Sequence, residues 1–274
     1  MRIALLQMTS GIDPAANAAV IVAAVAEAAA GGAAMLFTPE MSGLLDRDRA
    51  RAKASVRRED DDIVLAAVRE AAQAHAIWVH IGSLAVDAGR EDGKFANRAF
   101  VIDSAGAIVA RYDKMHLFDV DLPTGESWRE SNAYVGGEGP VAVEAPVGTI
   151  GLSICYDLRF PALYATYSAA DATVLTIPAA FTVPTGQAHW HILMRARAIE
   201  NACFVVAAAQ TGHHADGRDT YGHSLVTGPW GDVLLDMGNE VGIGFCDIDP
   251  AQIAEVRKRI PVIAHRRRIP ALNG

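Results

Sequence analysis

Cysteine is scarce. Only three occur in 274 residues, Cys155, Cys203 and Cys246, widely spaced and without a CxxC pair, which excludes a disulfide framework and a cysteine-built zinc site. A reducing, cytoplasmic location is the expectation. Long apolar runs are also missing: the longest, Ala18–Ala26, is far short of the roughly 20 residues that span a membrane. The apolar stretch in Met1–Met8 is too short for a signal peptide and reads as a first strand. Basic charge is in deficit, with 24 Lys and Arg against 32 Asp and Glu and a net charge of -8, so nucleic acid is not an expected partner. The basic run His265–Arg268 reads as a solvated end. Lysine is the scarcer cation, four against twenty arginines, which makes each lysine more informative.

What is present is core. The chain is 51% hydrophobic and 20% charged, with no internal repeat or low-complexity linker, and one domain over residues 1–274 is expected. The run Ile3–Met8, an Asp13-Pro14 helix start, an alanine-rich stretch to Ala30 stopped by Gly31-Gly32, and the apolar Ala33–Phe37 make a βαβ unit. A helix over about 62–74 and a strand Ile77–Ser83 repeat the pattern, followed by a hairpin, Asn97–Ile102 and Ala107–Tyr112, around Asp103-Ser-Ala-Gly106. The second half reads as strands at Val141–Glu144, Thr149–Ile154, Thr173–Ile177 and Cys203–Ala209, with helices after Pro161 and over about 187–201. A hairpin, Gly222–Val226 and Val233–Asp236, a strand Ile243–Ile248 and a helix from Pro250 complete it. This mixture of βα units and hairpins predicts an α/β fold of mixed sheets covered by helices.

Three reactive side chains share one kind of address, the loop just beyond a strand, where a scaffold fixes a group and leaves it open to substrate. Glu40 follows Ala33–Phe37, Lys114 follows Ala107–Tyr112, and Cys155 follows Thr149–Ile154. Taken singly, Glu40 and Lys114 read equally as surface charges and Cys155 as a small core residue. Together they supply a thiol, a carboxylate that can take its proton, and a cation for a developing oxyanion. The stretches at Gly151-Leu-Ser153 and Gly222-His-Ser224 begin like a serine nucleophile elbow but end in Cys155 and Val226, so that reading fails. Nine histidines suggest metal, yet no HExxH occurs, His189 and His191 fall on different helix faces, and His213-His214 are adjacent in a loop. Neither a metal nor a cofactor is expected, and the glycine clusters at Gly136–Gly139 and Gly242–Gly244 read as turns.

The segments Met35-Leu-Phe-Thr-Pro-Glu40-Met, Tyr112-Asp-Lys114-Met-His-Leu-Phe-Asp119 and Gly151-Leu-Ser-Ile-Cys155-Tyr-Asp157 come in the order Glu, Lys, Cys. In this the chain resembles the nitrilase superfamily of carbon-nitrogen hydrolases, and the likeness continues through Thr176–Phe181 and from Ala188-His-Trp to Glu200. The resemblance implies a four-layer α-β-β-α sandwich, dimerising or assembling further through the helices after Cys155 and after Thr185. It implies Cys155 as nucleophile, Glu40 as general base, and Lys114 with the backbone N–H of Tyr156 as oxyanion donors. A second carboxylate that orients the lysine falls by alignment on Glu130, with Glu126 as its rival. Phe181 and Arg159 are candidate substrate contacts, Arg195 is a further candidate cation for a substrate carboxylate, and both arginines read equally well as structural ion pairs.

Tyr156-Asp157 after the cysteine resembles amide hydrolases more than nitrilases. Ala207–His214, Tyr221–Ser224 and Pro229-Trp-Gly resemble most the deaminated-glutathione amidase branch, whose neighbour is the ω-amidase branch acting on 2-oxoglutaramate. Other aliphatic amidases and N-carbamoyl hydrolases are further alternatives. His191, where a Glu commonly stands, and Thr227-Gly228, for a more usual Val-Asp, depart from the pattern. A non-catalytic binding protein on the same fold would be signalled by loss of Glu40, Lys114 or Cys155, and all three are present.

Overall fold

The structure, a computed structural model, describes residues 1–121, 125 and 127–270. Its helices are α1 (Pro14–Ala30), α2 (Arg49–Ser55), α3 (Ile63–His75), α4 (Pro161–Ala169), α5 (Val183–Asn201) and α6 (Ala251–Arg259). Asp13 caps α1 by accepting from the Ala15 N–H at 2.9 Å, with Pro14 opening the helix, and Asp62 caps α3 through the Val64 and Leu65 N–H groups. α1 buries Ala18, Ile21, Ala24, Val25 and Ala28, a stripe at helical spacing.

Two main sheets stack between the helices. One runs in the order Gly242–Asp247, Arg2–Gln7, Met35–Phe37, Trp78–Val86, Phe95–Ile102, Ile108–Asp113, its second, third and fourth strands parallel. The other runs Val233–Asp236, Leu225–Thr227, Phe204–Ala207, Val174–Thr176, Gly148–Leu152, Ala142–Ala145. The strand period of two sorts the first sheet: Ala4, Leu6 and Leu36 pack outward against α1 and α3, while Ile3, Leu5, Met35 and Phe37 join the core shared with Ile150, Leu152 and Val174. Trp190, Met194 and Ala198 of α5 with Tyr164 and Tyr167 of α4 belong to that shared core and cover the other sheet. The fold is the α-β-β-α sandwich that the sequence led us to expect.

Boundaries moved where proline and short polar stretches govern. α5 begins at Val183, four residues earlier than expected, because Pro184 is accommodated in its first turn. The strand before Cys155 stops at Leu152, and Cys155 itself opens a 3-10 turn, Cys155–Arg159. The small helix α2 and the hairpins Asp119–Asp121/Ser127–Arg129 and Thr211–His213/Asp219–Tyr221 went unpredicted, being short and mostly exposed. Among the described residues no helix is long and apolar enough to cross a membrane.

Candidate active site

The first sheet ends at a tightly held corner. After Met35–Phe37 the chain turns through Thr38-Pro39, and Met41 takes a left-handed φ of 54° while its N–H donates to Ser83 Oγ at 2.9 Å. Gln210 Nε2 donates to the Glu40 carbonyl at 3.0 Å. Gly82 lies so close to this corner that an added Cβ would sit 2.1 Å from the Thr38 carbonyl oxygen, so the position admits only glycine. Glu40 is thereby aimed inward, with 5% of its surface exposed.

Around Glu40 the charged groups interlock. Lys114, just beyond Ile108–Asp113 and 2% exposed, donates from Nζ to Glu40 Oε1 at 2.9 Å and to Glu130 Oε2 at 2.9 Å and Oε1 at 3.2 Å. Asn97, fully buried in its strand, bridges the same carboxylates, donating from Nδ2 to Glu40 at 3.0 Å and Glu130 at 3.1 Å. The Phe118 N–H fixes Glu130 at 2.7 Å, and the Ala180 N–H donates to Glu40 Oε2 at 2.9 Å. Glu126 lies outside the described residues.

Cys155 enters from the other sheet. Its φ of 50° is left-handed, a strained conformation for a side-chain-bearing residue, and its own N–H is held by the Pro178 carbonyl at 2.9 Å. Asp157 supports the turn, accepting from the Ile154 N–H at 2.9 Å, the Tyr112 hydroxyl at 2.7 Å and the His116 N–H at 3.0 Å, which ties the cysteine turn to the segment carrying Lys114. The Cys155 thiol lies against the Glu40 carboxylate. Among the described residues the Tyr156 backbone N–H has no acceptor.

The electrostatics follow from burial and pairing. Burial alone would raise Glu40, but the Lys114 charge and hydrogen bonds from Cys155, Lys114 and Asn97 outweigh it and hold the carboxyl below its ordinary value. Burial, then the negative charge of Glu40, push the Cys155 thiol well above its usual range. Burial would lower Lys114, and the charges of Glu130 and Glu40 more than reverse it, leaving the amine well above its usual range. At rest the corner therefore holds a protonated thiol beside an ionised carboxylate and a charged ammonium. Such a set can attack a carbonyl if the thiol proton leaves as the carbon-sulfur bond forms.

Glu40, Lys114, Glu130, Cys155, Tyr156 and Phe181 all line one cavity of about 450 Å³. Arg159 is not among its lining residues: its guanidinium stacks over the Phe181 and Tyr156 rings at 5.6 and 5.9 Å and meets His189 Nδ1 at 3.3 Å. Arg195 is also elsewhere, donating to the Gly231 carbonyl at 2.8 Å. Besides Lys114, the cavity's cations are Arg47, Arg49, Arg129 and Arg218, which sequence reasoning missed. Arg129 is paired with Asp121 and Arg218 with Asp216. Arg47 and Arg49 have no carboxylate partner among the described residues. Arg47 and Arg218 lie over the ring of Trp128, at 6.0 and 5.2 Å, and the buried Nε1 of that ring has no acceptor among the described residues. Asn97 and Asp157 were missed as well. Asn97 reads in sequence as one polar residue in a strand, whereas Asp157 stood in view two residues after the cysteine.

The carbon-nitrogen hydrolase family profile matches residues 2–258. The chain belongs to the carbon-nitrogen hydrolases. It is 36% identical over 271 residues to the deaminated glutathione amidase of Yersinia enterocolitica, covering 98% of this chain and 94% of that one. The crystal structure of the Caenorhabditis elegans NitFhit protein superposes with a TM-score of 0.90 at 37% identity over 97% of this chain, which spans 65% of the worm protein. An amidase variant from Nesterenkonia sp. AN1, with acrylamide added to its active-site cysteine, superposes with a TM-score of 0.78 at 28% identity, covering 95% of this chain and 98% of that one. Within this family the chain is an amidase, an enzyme that hydrolyses amides through a cysteine.

Proposed function

We propose that this amidase hydrolyses the amide of a small carboxylate-bearing substrate, deaminated glutathione first, through a thioester on Cys155. The observation that carries the mechanism is the Cys155 thiol set against Glu40, whose carboxylate is itself held 2.9 Å from Lys114 Nζ. As sulfur attacks the amide carbon, its proton passes to Glu40 and negative charge gathers on the carbonyl oxygen, facing Lys114 and the unused Tyr156 N–H. Collapse expels the amine, which takes the proton from Glu40 and leaves as the free amine, or as ammonia where the substrate is a primary amide. Glu40 then takes a proton from water as the water attacks the thioester, and the acid departs as the thiol recovers that proton. Glu130 and Asn97 hold Lys114 and Glu40 in register.

The choice of substrate rests on the arginines at the mouth and on the relatives. Arg47, Arg49 and Arg218 present cationic donors to a substrate whose amide end reaches the floor, and guanidinium is suited to carboxylate. The match to the Yersinia deaminated glutathione amidase runs along nearly the whole length of both chains. We further propose a homo-oligomer assembled through α5, where Ile192 is 69% exposed and Ile199 49%, in the reducing cytoplasm that three free thiols suit. The test is amide hydrolysis, followed as release of the amine fragment from deaminated glutathione and of ammonia from 2-oxoglutaramate, glutamine and a nitrile. The highest kcat/KM is expected for deaminated glutathione, and a preference for glutamine or the nitrile would refute the substrate assignment.

A further inference from the structure

On the outer side of α5, three side chains from distant parts of the chain converge. His191 stands on α5, His223 in the loop after Asp219–Tyr221, and Asp236 closes the strand Val233–Asp236. Nε2 of His191 lies 2.9 Å from Asp236 Oδ2, and Nδ1 of His223 lies 2.8 Å from Asp236 Oδ1. One ligand atom from each residue lies within 4.8 Å of the others. None of the three lines the catalytic cavity.

We propose that His191, His223 and Asp236 form a binding site for a divalent transition metal of the zinc class, distinct from the amidase centre. Two imidazole nitrogens and one carboxylate oxygen are a donor set that suits zinc, with a water completing the tetrahedron. Ligand atoms about 2.0–2.1 Å from a tetrahedral ion lie roughly 3.3 Å from one another. The two N···O contacts run to different oxygens of Asp236, and the three ligand atoms lie within 4.8 Å of one another, so gathering them around one ion takes rotation of the carboxylate and rings by up to about 1.5 Å as the shared protons give way to the metal. The partners are already held. His223 takes a left-handed φ of 56°, its carbonyl accepts from Trp190 Nε1 at 2.8 Å, and its ring stacks on Tyr221 with centroids 4.5 Å apart. Asp236 Oδ1 also accepts from the Gly238 N–H at 3.0 Å, an orienting contact of the kind that supports metal ligands. Among the described residues neither lysine nor arginine pairs with Asp236, so a metal ion would be its principal counter-charge.

An ion there would cross-link α5 to the edge strand of the second sheet and to the loop after Tyr221. It should stabilise the fold by mass action without entering the chemistry. The site escaped sequence reading because its ligands stand at positions 191, 223 and 236, with no local spacing that marks them.

The test uses the full chain, stripped with chelator and titrated with Zn2+ by calorimetry and with Co2+ by visible absorption. The titration is repeated in Cys155→Ala so that the reactive thiol cannot supply the signal. One ion per chain is expected in both, with the absorption bands of tetrahedral Co2+ and a melting temperature that rises with Zn2+. Asp236→Asn and His191→Gln should each weaken binding at least as much as the 10- to 100-fold typical of losing a supporting partner. Both should abolish the Zn2+-dependent rise in melting temperature and keep amidase kcat within about twofold of wild type. If His223→Ala does not fold, these two variants decide. No stoichiometric binding, or unchanged binding in both variants, would overturn the proposal and leave a plain histidine–aspartate hydrogen-bond cluster.

Discussion

At the floor of the cavity Glu40 and Lys114 are buried, Glu130 is half-buried, and each is held by others, Glu40 by Lys114 and Asn97, and Glu130 by Lys114, Asn97 and the Phe118 N–H. At its mouth Arg47, Arg49 and Arg129 are exposed, and Arg47 and Arg49 lack a carboxylate partner among the described residues. The floor hangs from strand ends in both sheets, whereas the mouth is assembled from loops, the short helix α2 and a two-stranded hairpin. The difference separates two tasks. A fixed, dry floor strengthens electrostatic interactions and spends no reorganisation during the reaction. A wet mouth with adaptable arginines can sort substrates without disturbing that geometry.

Changes at the floor should therefore act on kcat, and changes at the mouth on KM. The largest effect is expected for Glu40→Gln, which keeps the shape and cannot accept the thiol proton. Its kcat should fall by about 10²- to 10⁴-fold, and retention of more than about a tenth of wild-type activity would remove Glu40 as base. Lys114→Arg comes next. A planar fork replaces a compact ammonium that meets both Glu40 and Glu130, and kcat should fall by about 10²-fold or more. A near-normal kcat would leave the oxyanion to backbone donors such as Tyr156.

Arg218→Ala should raise KM for a carboxylate-bearing amide by roughly 5- to 10-fold, as a partly screened charge-assisted contact allows, with kcat nearly unchanged. An uncharged amide assayed beside it should show no such rise. Equal losses on both substrates would merge mouth and floor into one unit. The smallest expected change is with pH. Activity needs Glu40 ionised, and Glu40 is held below its ordinary value, so kcat/KM should fall only as pH drops below about 4.3. The thiol is pushed well above its usual range, so no rise centred near the free-thiol value of about 8.5 should appear. A limb near 8.5 would mean that a preformed thiolate attacks.

The same contrast explains what the sequence could tell. Glu40, Lys114 and Cys155 each stand within three residues of a strand end, so their address is local, and their ordered motifs can be read directly. Mixed sheets covered by helices follow from the βα units and hairpins, whereas the sandwich is implied by the family resemblance, since the facing of Ile3, Ala4, Leu5 and Leu6, all apolar, shows only in the structure. The mouth has no such address. Arg47, Arg49, Arg129 and Arg218 come together only through tertiary packing, and Arg-Ala-Arg-Ala-Lys-Ala-Ser of α2 lacks the apolar stripe that marks a helix. Arg159, attractive for standing four residues after the cysteine, points instead at the backs of Phe181 and Tyr156. Cys203 and Cys246 are buried at 0% and 8% exposure, and Cys155, at 8%, is no less buried than Cys246. Burial therefore does not mark the proposed nucleophile. Its turn and its neighbours do.

That distinction can be measured at the sulfur. Wild-type enzyme is mixed with deaminated glutathione, quenched in acid within the first turnovers, digested and mapped by mass spectrometry. The account predicts a hydroxylamine-sensitive acyl adduct on the Cys155 peptide and none on those of Cys203 or Cys246, with release of the amine fragment abolished in Cys155→Ala. An adduct on another residue, or turnover that survives in Cys155→Ala, would contradict it.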